Sequence, residues 1–216
     1  MKFGSLPFNW FDVLVLVVLG VGIFRGRRRG ISEELLCVLQ WLAIVVVSAL
    51  YYQPIGRLAA SNSDLTLLMA YVGAYLTLVI GIKVVFGWIK HLVGEKLIGS
   101  DLFGGAEYYL GMLAGALRFG CVLLVILALL HAKFISPEQL AAQAKMQKDN
   151  FGDISFPTFA SVQHDIFYSS LSGLFIRRHL GDQLIEPTPV GKKLVEHETL
   201  RHRREREIDE VFGFKK

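Results

Sequence analysis

The chain has 216 residues, 53% of them hydrophobic and only 19% charged, with a formal net charge of +4 and a mean hydropathy of +0.45. A soluble domain of ordinary composition carries about 25% charged residues, so this chain is too apolar for that class. Its charges are gathered into gaps between apolar blocks and into the C-terminal part, which is membrane-protein patterning and excludes a basic face built to follow a polyanion.

The first apolar block, Trp10 to Phe24, is shorter than the about 20 residues that usually cross a bilayer. Ser5 as an N-cap and Pro7 near the first helical position can start the helix earlier, and the arginines after Phe24 can snorkel to the interface. A span over about 7–24 is therefore expected. Only Lys2 precedes the block and the basic residues follow it, so it reads as an uncleaved helix rather than a signal peptide. A second span is expected over about 35–52, closed by Gln53-Pro54, with Tyr51 and Tyr52 in the interfacial aromatic belt. A short polar loop with Arg57, Asn62 and Asp64 leads to a third span, about 65–89, interrupted by Gly73, Gly81, Lys83 and Gly87. The glycine-rich, charged segment from His91 to Glu107 reads as a connector, and a fourth span covers about 108–131.

The expected fold is an all-α membrane protein, with four transmembrane helices in residues 1–132 and a partly helical polar tail in residues 133–216. The tail carries 13 Lys/Arg against 12 Asp/Glu and no further long apolar run. Phe159, Val162, Ile166, Phe167, Leu171, Leu174 and Phe175 recur at helical intervals, which predicts an amphipathic helix near 159–180 lying on the membrane or on the bundle. Pro187, Pro189 and Gly191 break the pattern before a charged helix near 192–212. No internal repeat is present.

Arg25, Arg27, Arg28 and Arg29 sit between two apolar blocks. Short loops rich in Lys and Arg stay in the cytoplasm, so this patch marks the inside and can anchor on anionic lipid headgroups. The connector with Lys96 then lies inside as well, and four crossings place both termini outside the cytoplasm. Nucleic-acid binding would need a basic face of suitable geometry, and nothing flanking the patch supplies one.

Ionisable groups in membrane spans are costly and mark candidate functional positions. They are Asp12 near the outer end of the first span, Glu34 and Glu107 at inner ends, Arg118 near mid-membrane and Lys83 in the third span. Lys83 or Arg118 can pair with Glu107 or Glu34 as a structural ion pair, or line an ion or proton path; Asp12 can simply face water. Gly111 and Gly115 form a GxxxG pattern that serves either packing within the bundle or self-association. His197 and His202 are five apart, whereas a zinc-protease helix spaces its histidines by four, and Cys37 and Cys121 lie in apolar runs as small hydrophobes. No metal site, cofactor or catalytic residue is expected, and the protein is not expected to be an enzyme.

Trp10 and Asp12 opening the first span, Arg29-Gly30 after it, Glu34 opening the second, Trp41 within it, and later Leu110-Gly111 with Gly115-Ala-Leu-Arg118 form a spaced set. In these residues the chain resembles the colicin V production protein (CvpA) family of small bacterial inner-membrane proteins, over about Trp10 to His131 and more loosely over Phe156 to Leu180. It departs from the family pattern at Glu107, where an aspartate is usual, and at Arg118-Phe119, where Arg-Gly is usual. Residues Lys192 to Lys216 look like an addition. The resemblance implies a multi-pass inner-membrane protein linked to envelope integrity and to peptide toxin production or export, and implies no known reaction. The expected role is that of an accessory or scaffold protein, with a small oligomeric transporter or channel that uses the intramembrane charges as the alternative. The expected partners are the lipid bilayer, a second copy through Gly111 and Gly115, and other membrane proteins, with no nucleic acid.

Overall fold

The structure, a computed structural model, describes residues 9–63, 65–98, 104–151 and 156–191. Ser5, Pro7, Asp64 and the charged helix expected near 192–212, with His197 and His202, lie outside the described residues. The described helices are α1 (Trp10–Asn62), α2 (Leu67–Ile98), α3 (Glu107–His131), α4 (Pro137–Phe151), α5 (Phe159–Ser169) and α6 (Leu171–His179). No strand occurs among the described residues, only an isolated bridge between Lys133 and Thr188. By length and hydropathy α1, α2 and α3 can cross a membrane, so this is an all-α membrane protein.

Helix α1 is not a straight rod. Gly30 has φ 71° and ψ 171°, a backbone region essentially restricted to glycine. Residues 12 and 52 would stand roughly 60 Å apart on a straight helix, yet both meet the same short piece of tail. Asp12 accepts from the Leu171 and Ser172 amides and the Tyr52 hydroxyl accepts from the Glu186 amide. The chain therefore reverses at Gly30, giving a first arm (residues 10–29) and a second arm (residues 31–62). These two arms, α2 and α3 form four helical segments, each running antiparallel to the one before it. The arginines expected in a loop remain helical, since arginine is a good helix former, and the turn is confined to one glycine.

The ends of the segments differ from expectation in three places. Asn9, not Ser5, caps α1: its side chain accepts from the Trp10 amide at 2.7 Å, while Asp12 Oδ2 accepts from the Asn9 amide at 2.9 Å and closes a capping box. The second arm does not stop at Gln53-Pro54 but runs through Pro54 to Asn62. Proline costs a helix one hydrogen bond, and packing offsets it here. Gly56 lets Tyr71 approach so closely that a Cβ would overlap its ring, and Tyr52 packs edge-on against Tyr71 and Tyr75 at 5.5 and 6.4 Å. Helix α2 continues to Ile98, into the segment read as a connector.

The core contains Phe11, Ile44, Tyr52, Tyr75, Leu127, Phe167 and Ile185. The last two come from the tail, which docks on the bundle. Gln163 Nε2 donates to the terminal carbonyls of Leu130 and Lys133 at 3.0 and 2.9 Å. His131 Nδ1 lies 2.9 Å from the Ile185 carbonyl, and the Thr188 amide donates to Ala132 at 2.9 Å. The amphipathic segment is two helices rather than one, because Ser170 leaves the helical region at φ −115°, ψ 148°. Its hydroxyl donates to the Ile166 carbonyl at 2.7 Å and accepts from the Gly173 amide at 2.9 Å, ending α5 and capping α6. Helix α4 lies in a stretch expected only as polar tail; it lacks a sustained apolar period but is rich in strong helix formers, Ala, Gln and Lys among them.

Candidate functional site

The first arm and α3 approach through a run of small residues. Gly22, Gly26 and Gly30 face Gly115, Gly111 and Glu107 in antiparallel register. A Cβ added at Gly26 would overlap the Gly111 carbonyl, one at Gly115 the Gly22 carbonyl, and one at Gly30 the Glu107 side chain. The GxxxG pattern of α3 is thus used within the chain. Sequence reading missed its partner, although Gly22, Gly26 and Gly30 repeat at the same four-residue spacing.

Close backbones bring the charges together. Side chains on a helix lean toward its N-terminus, and the N-terminal end of α3 is the Gly30 end. Arg118 therefore reaches back to Glu34, in the first turn after the break. Its Nη1 donates to Oε2 at 2.7 Å and to Oε1 at 3.0 Å. Arg29 Nη1 stands 3.6 Å from Glu34 Oε1. Glu34 is 1% exposed, Arg118 21% and Arg29 36% by side chain, so the carboxylate is sealed while its partners keep an edge toward the surroundings. Three segments are tied at this point: the first arm by Arg29, the second by Glu34 and α3 by Arg118.

The other expected residues fall around it. Glu107 does not pair with Arg118; it packs on Gly30. Lys83 is exposed, its ammonium 5.7 Å from the Trp41 ring centre. Arg25, Arg27 and Arg28 are exposed, with the Arg28 guanidinium 4.3 Å over the Phe24 ring. Lys90, which sequence reading passed over, donates to Gln40 Oε1 at 2.7 Å and lies 3.4 Å from Cys37 Sγ. No group of three His, Cys, Asp or Glu able to hold a metal occurs among the described residues.

Asp12 departs from expectation. It does not face water but is 4% exposed, accepting from the Leu171 amide at 3.2 Å and the Ser172 amide at 2.8 Å besides that of Asn9. One carboxylate thereby caps two helix N-termini, α1 and α6, where the aligned peptide dipoles favour negative charge. The pairing spans about 160 positions of sequence, and no local pattern announces it.

A family model described as colicin V production protein matches residues 11–148. The match takes in Asp12, Arg29, Gly30, Glu34, Trp41, Glu107, Gly111, Gly115 and Arg118 and leaves out α5 and α6. No curated protein matches, and no solved structure does.

Proposed function

This chain belongs to the colicin V production protein family, and we propose that it is an accessory or scaffold protein of the bacterial inner membrane, acting in envelope integrity or in peptide toxin production and export. The observation that carries this reading is the division of surfaces in the bundle. The first arm and α3 spend Gly22, Gly26, Gly111 and Gly115 on each other and the Glu34–Arg118 pair ties α3 to the second arm, whereas α2 packs chiefly on α1 and has 22% of its most apolar stretch buried. On its open side Gly73, Thr77 and Gly81 are exposed at four-residue spacing, and a Cβ at either glycine would meet nothing within 4 Å. Small residues so arranged admit a second helix at close range. Association, with a second copy or another membrane protein, is assigned to α2 because Gly111 and Gly115 are covered within the chain.

Cysteine crosslinking in native membranes tests this. T77C should give discrete adducts that G81L abolishes while the purified monomer keeps its stability; a protein that stays solitary in its own membrane refutes the scaffold reading. The second reading, a small oligomeric transporter or channel, is supported by the partial exposure of Arg29 and Arg118 beside buried Glu34. Flux in liposomes that is lost in folded R118Q would favour it over the first. For orientation, the arginine patch argues that the Gly30 end is cytoplasmic. The start of α1 and the docked tail share the opposite end, so reporters after Arg29 and after Lys216 should read inside and outside respectively.

A further inference from the structure

Beside the glycine seam, on the outward side of the bundle, lies a groove of about 620 Å³ lined by Phe24, Arg27, Arg28, Tyr108, Tyr109 and Met112. It is separate from the Glu34–Arg118 pair and uses none of its residues. We propose that this groove is a binding site for one anionic phospholipid, the phosphate held by Arg27 and by Arg28, whose guanidinium rests on the Phe24 ring, and an acyl chain laid over Met112 and Tyr109 between the first arm and α3.

Three features fit that occupant. Arg29 is engaged by Glu34, but Arg27 and Arg28 form no ion pair with any described residue and are exposed. Guanidinium groups are suited to bidentate capture of phosphate oxygens. The groove sits where the first arm approaches its reversal at Gly30, the level at which interfacial aromatics and basic residues gather, and it combines two cations with four aromatic or apolar side chains. A free anion would use only the first part of that lining, while a molecule with a charged head and an apolar tail uses all of it. Tyr108 and Tyr109 are 61% and 74% exposed, so the groove opens sideways to the bilayer rather than into the bundle. Basic pockets between transmembrane helices on the cytoplasmic side are established headgroup sites in other proteins.

The test uses the full chain purified in detergent and titrated with phosphatidylglycerol or phosphatidylcholine of matched acyl chains, with bound lipid counted by native mass spectrometry. Wild type should retain phosphatidylglycerol in preference to phosphatidylcholine, and R27Q/R28Q should weaken it by roughly thirtyfold, the product of two near-surface charges. R28Q alone should weaken it about fivefold, while R25Q, which removes the same charge outside the groove lining, should change it less than twofold. M112W keeps both arginines and fills the apolar floor, so it should also lose the lipid. Melting curves establish that each variant is folded. Equal losses in R25Q and R28Q would reduce the site to diffuse basic charge and overturn the proposal, as would equal retention of the two lipids. Release of the lipid by millimolar inorganic phosphate, with M112W behaving as wild type, would assign the arginines to a free anion instead and overturn it too.

Discussion

Replacing Gly26 by alanine tests whether the first arm and α3 are held by backbone contact. A methyl there overlaps the Gly111 carbonyl and lies 3.0 Å from Gly115 Cα. Both obstacles are main chain, so no side-chain rotation relieves them and the helices must part. Overpacking of this kind costs about 1–3 kcal/mol, and rigid neighbours put it at the upper end, about 3 kcal/mol. Alanine also recovers about 1 kcal/mol of helix propensity over glycine. The net expectation is a loss of about 2 kcal/mol. Gly20, on the same arm, has nothing within 4 Å of an added Cβ, so there alanine should gain up to about 1 kcal/mol through propensity alone. The two substitutions share chemistry and helix but differ in burial, Gly20 being exposed and Gly26 buried, and have opposite predicted signs, about 3 kcal/mol apart. Reversible unfolding in mixed micelles with increasing sodium dodecyl sulfate measures both. If G26A is as stable as G20A, the close approach does not hold the bundle, and the reasoning from the glycine register fails.

Two further substitutions address the charges. R118Q leaves a sealed Glu34 with only Arg29 at 3.6 Å, and breaking a buried pair costs about 3–5 kcal/mol; partial exposure of Arg118 argues for the lower end. In the same unfolding assay E34Q/R118Q should be more stable than R118Q, and simple additivity of the two singles would show that they do not interact. D12N removes a charged acceptor of two tail amides, worth about 2 kcal/mol. Hydrogen exchange at Leu171 and Ser172 should therefore accelerate roughly thirtyfold, with the amides of α3 unchanged; uniform acceleration across the chain would mean that Asp12 supports the whole fold rather than the docked tail.

Hydropathy alone located the apolar stretches that the structure folds into α1, α2 and α3, because burial in lipid demands runs of apolar residues whatever their neighbours are. It misplaced their ends, since those depend on particular contacts. Pro54 remains helical because Gly56 and Tyr71 pack beside it, and α2 extends past His91 although its sequence there turns polar. The pairing of Arg118 with Glu34, one of four combinations left open, was decided by the lean of the arginine toward the N-terminus of α3. The split of the amphipathic segment at Ser170 was hidden because the apolar spacing continues across it: Ile166 and Phe167 before the break and Ile176 after it are all buried, so the period looks unbroken. The role of Asp12 was illegible for another reason, as its partners are main-chain amides, which carry no residue signature.

Three acids of the bundle nevertheless share a placement that sequence reading could have used. Asp12 lies in the first turn of α1 and Glu107 in the first turn of α3, and Glu34 lies in the first turn after the Gly30 break. Each carboxylate stands where unpaired amides and the aligned peptide dipoles favour negative charge, so each marks a helical start more closely than the apolar run around it does. On that ground the three acids need no function to explain their place in a membrane protein. Arg118 does not share the exemption. It sits in the interior of α3, far from either terminus, where a cation gains nothing from the dipole and is costly in an apolar surround. Its presence is accounted for only by Glu34, which makes Arg118 the more informative residue to substitute. A protein that needed merely to span the membrane could carry leucine there, together with a neutral residue at Glu34, and lose no helix. That the pair persists in a bundle already held by its glycines points to a demand for fixed register between the second arm and α3, which an apolar seam, able to slide by a turn, does not supply.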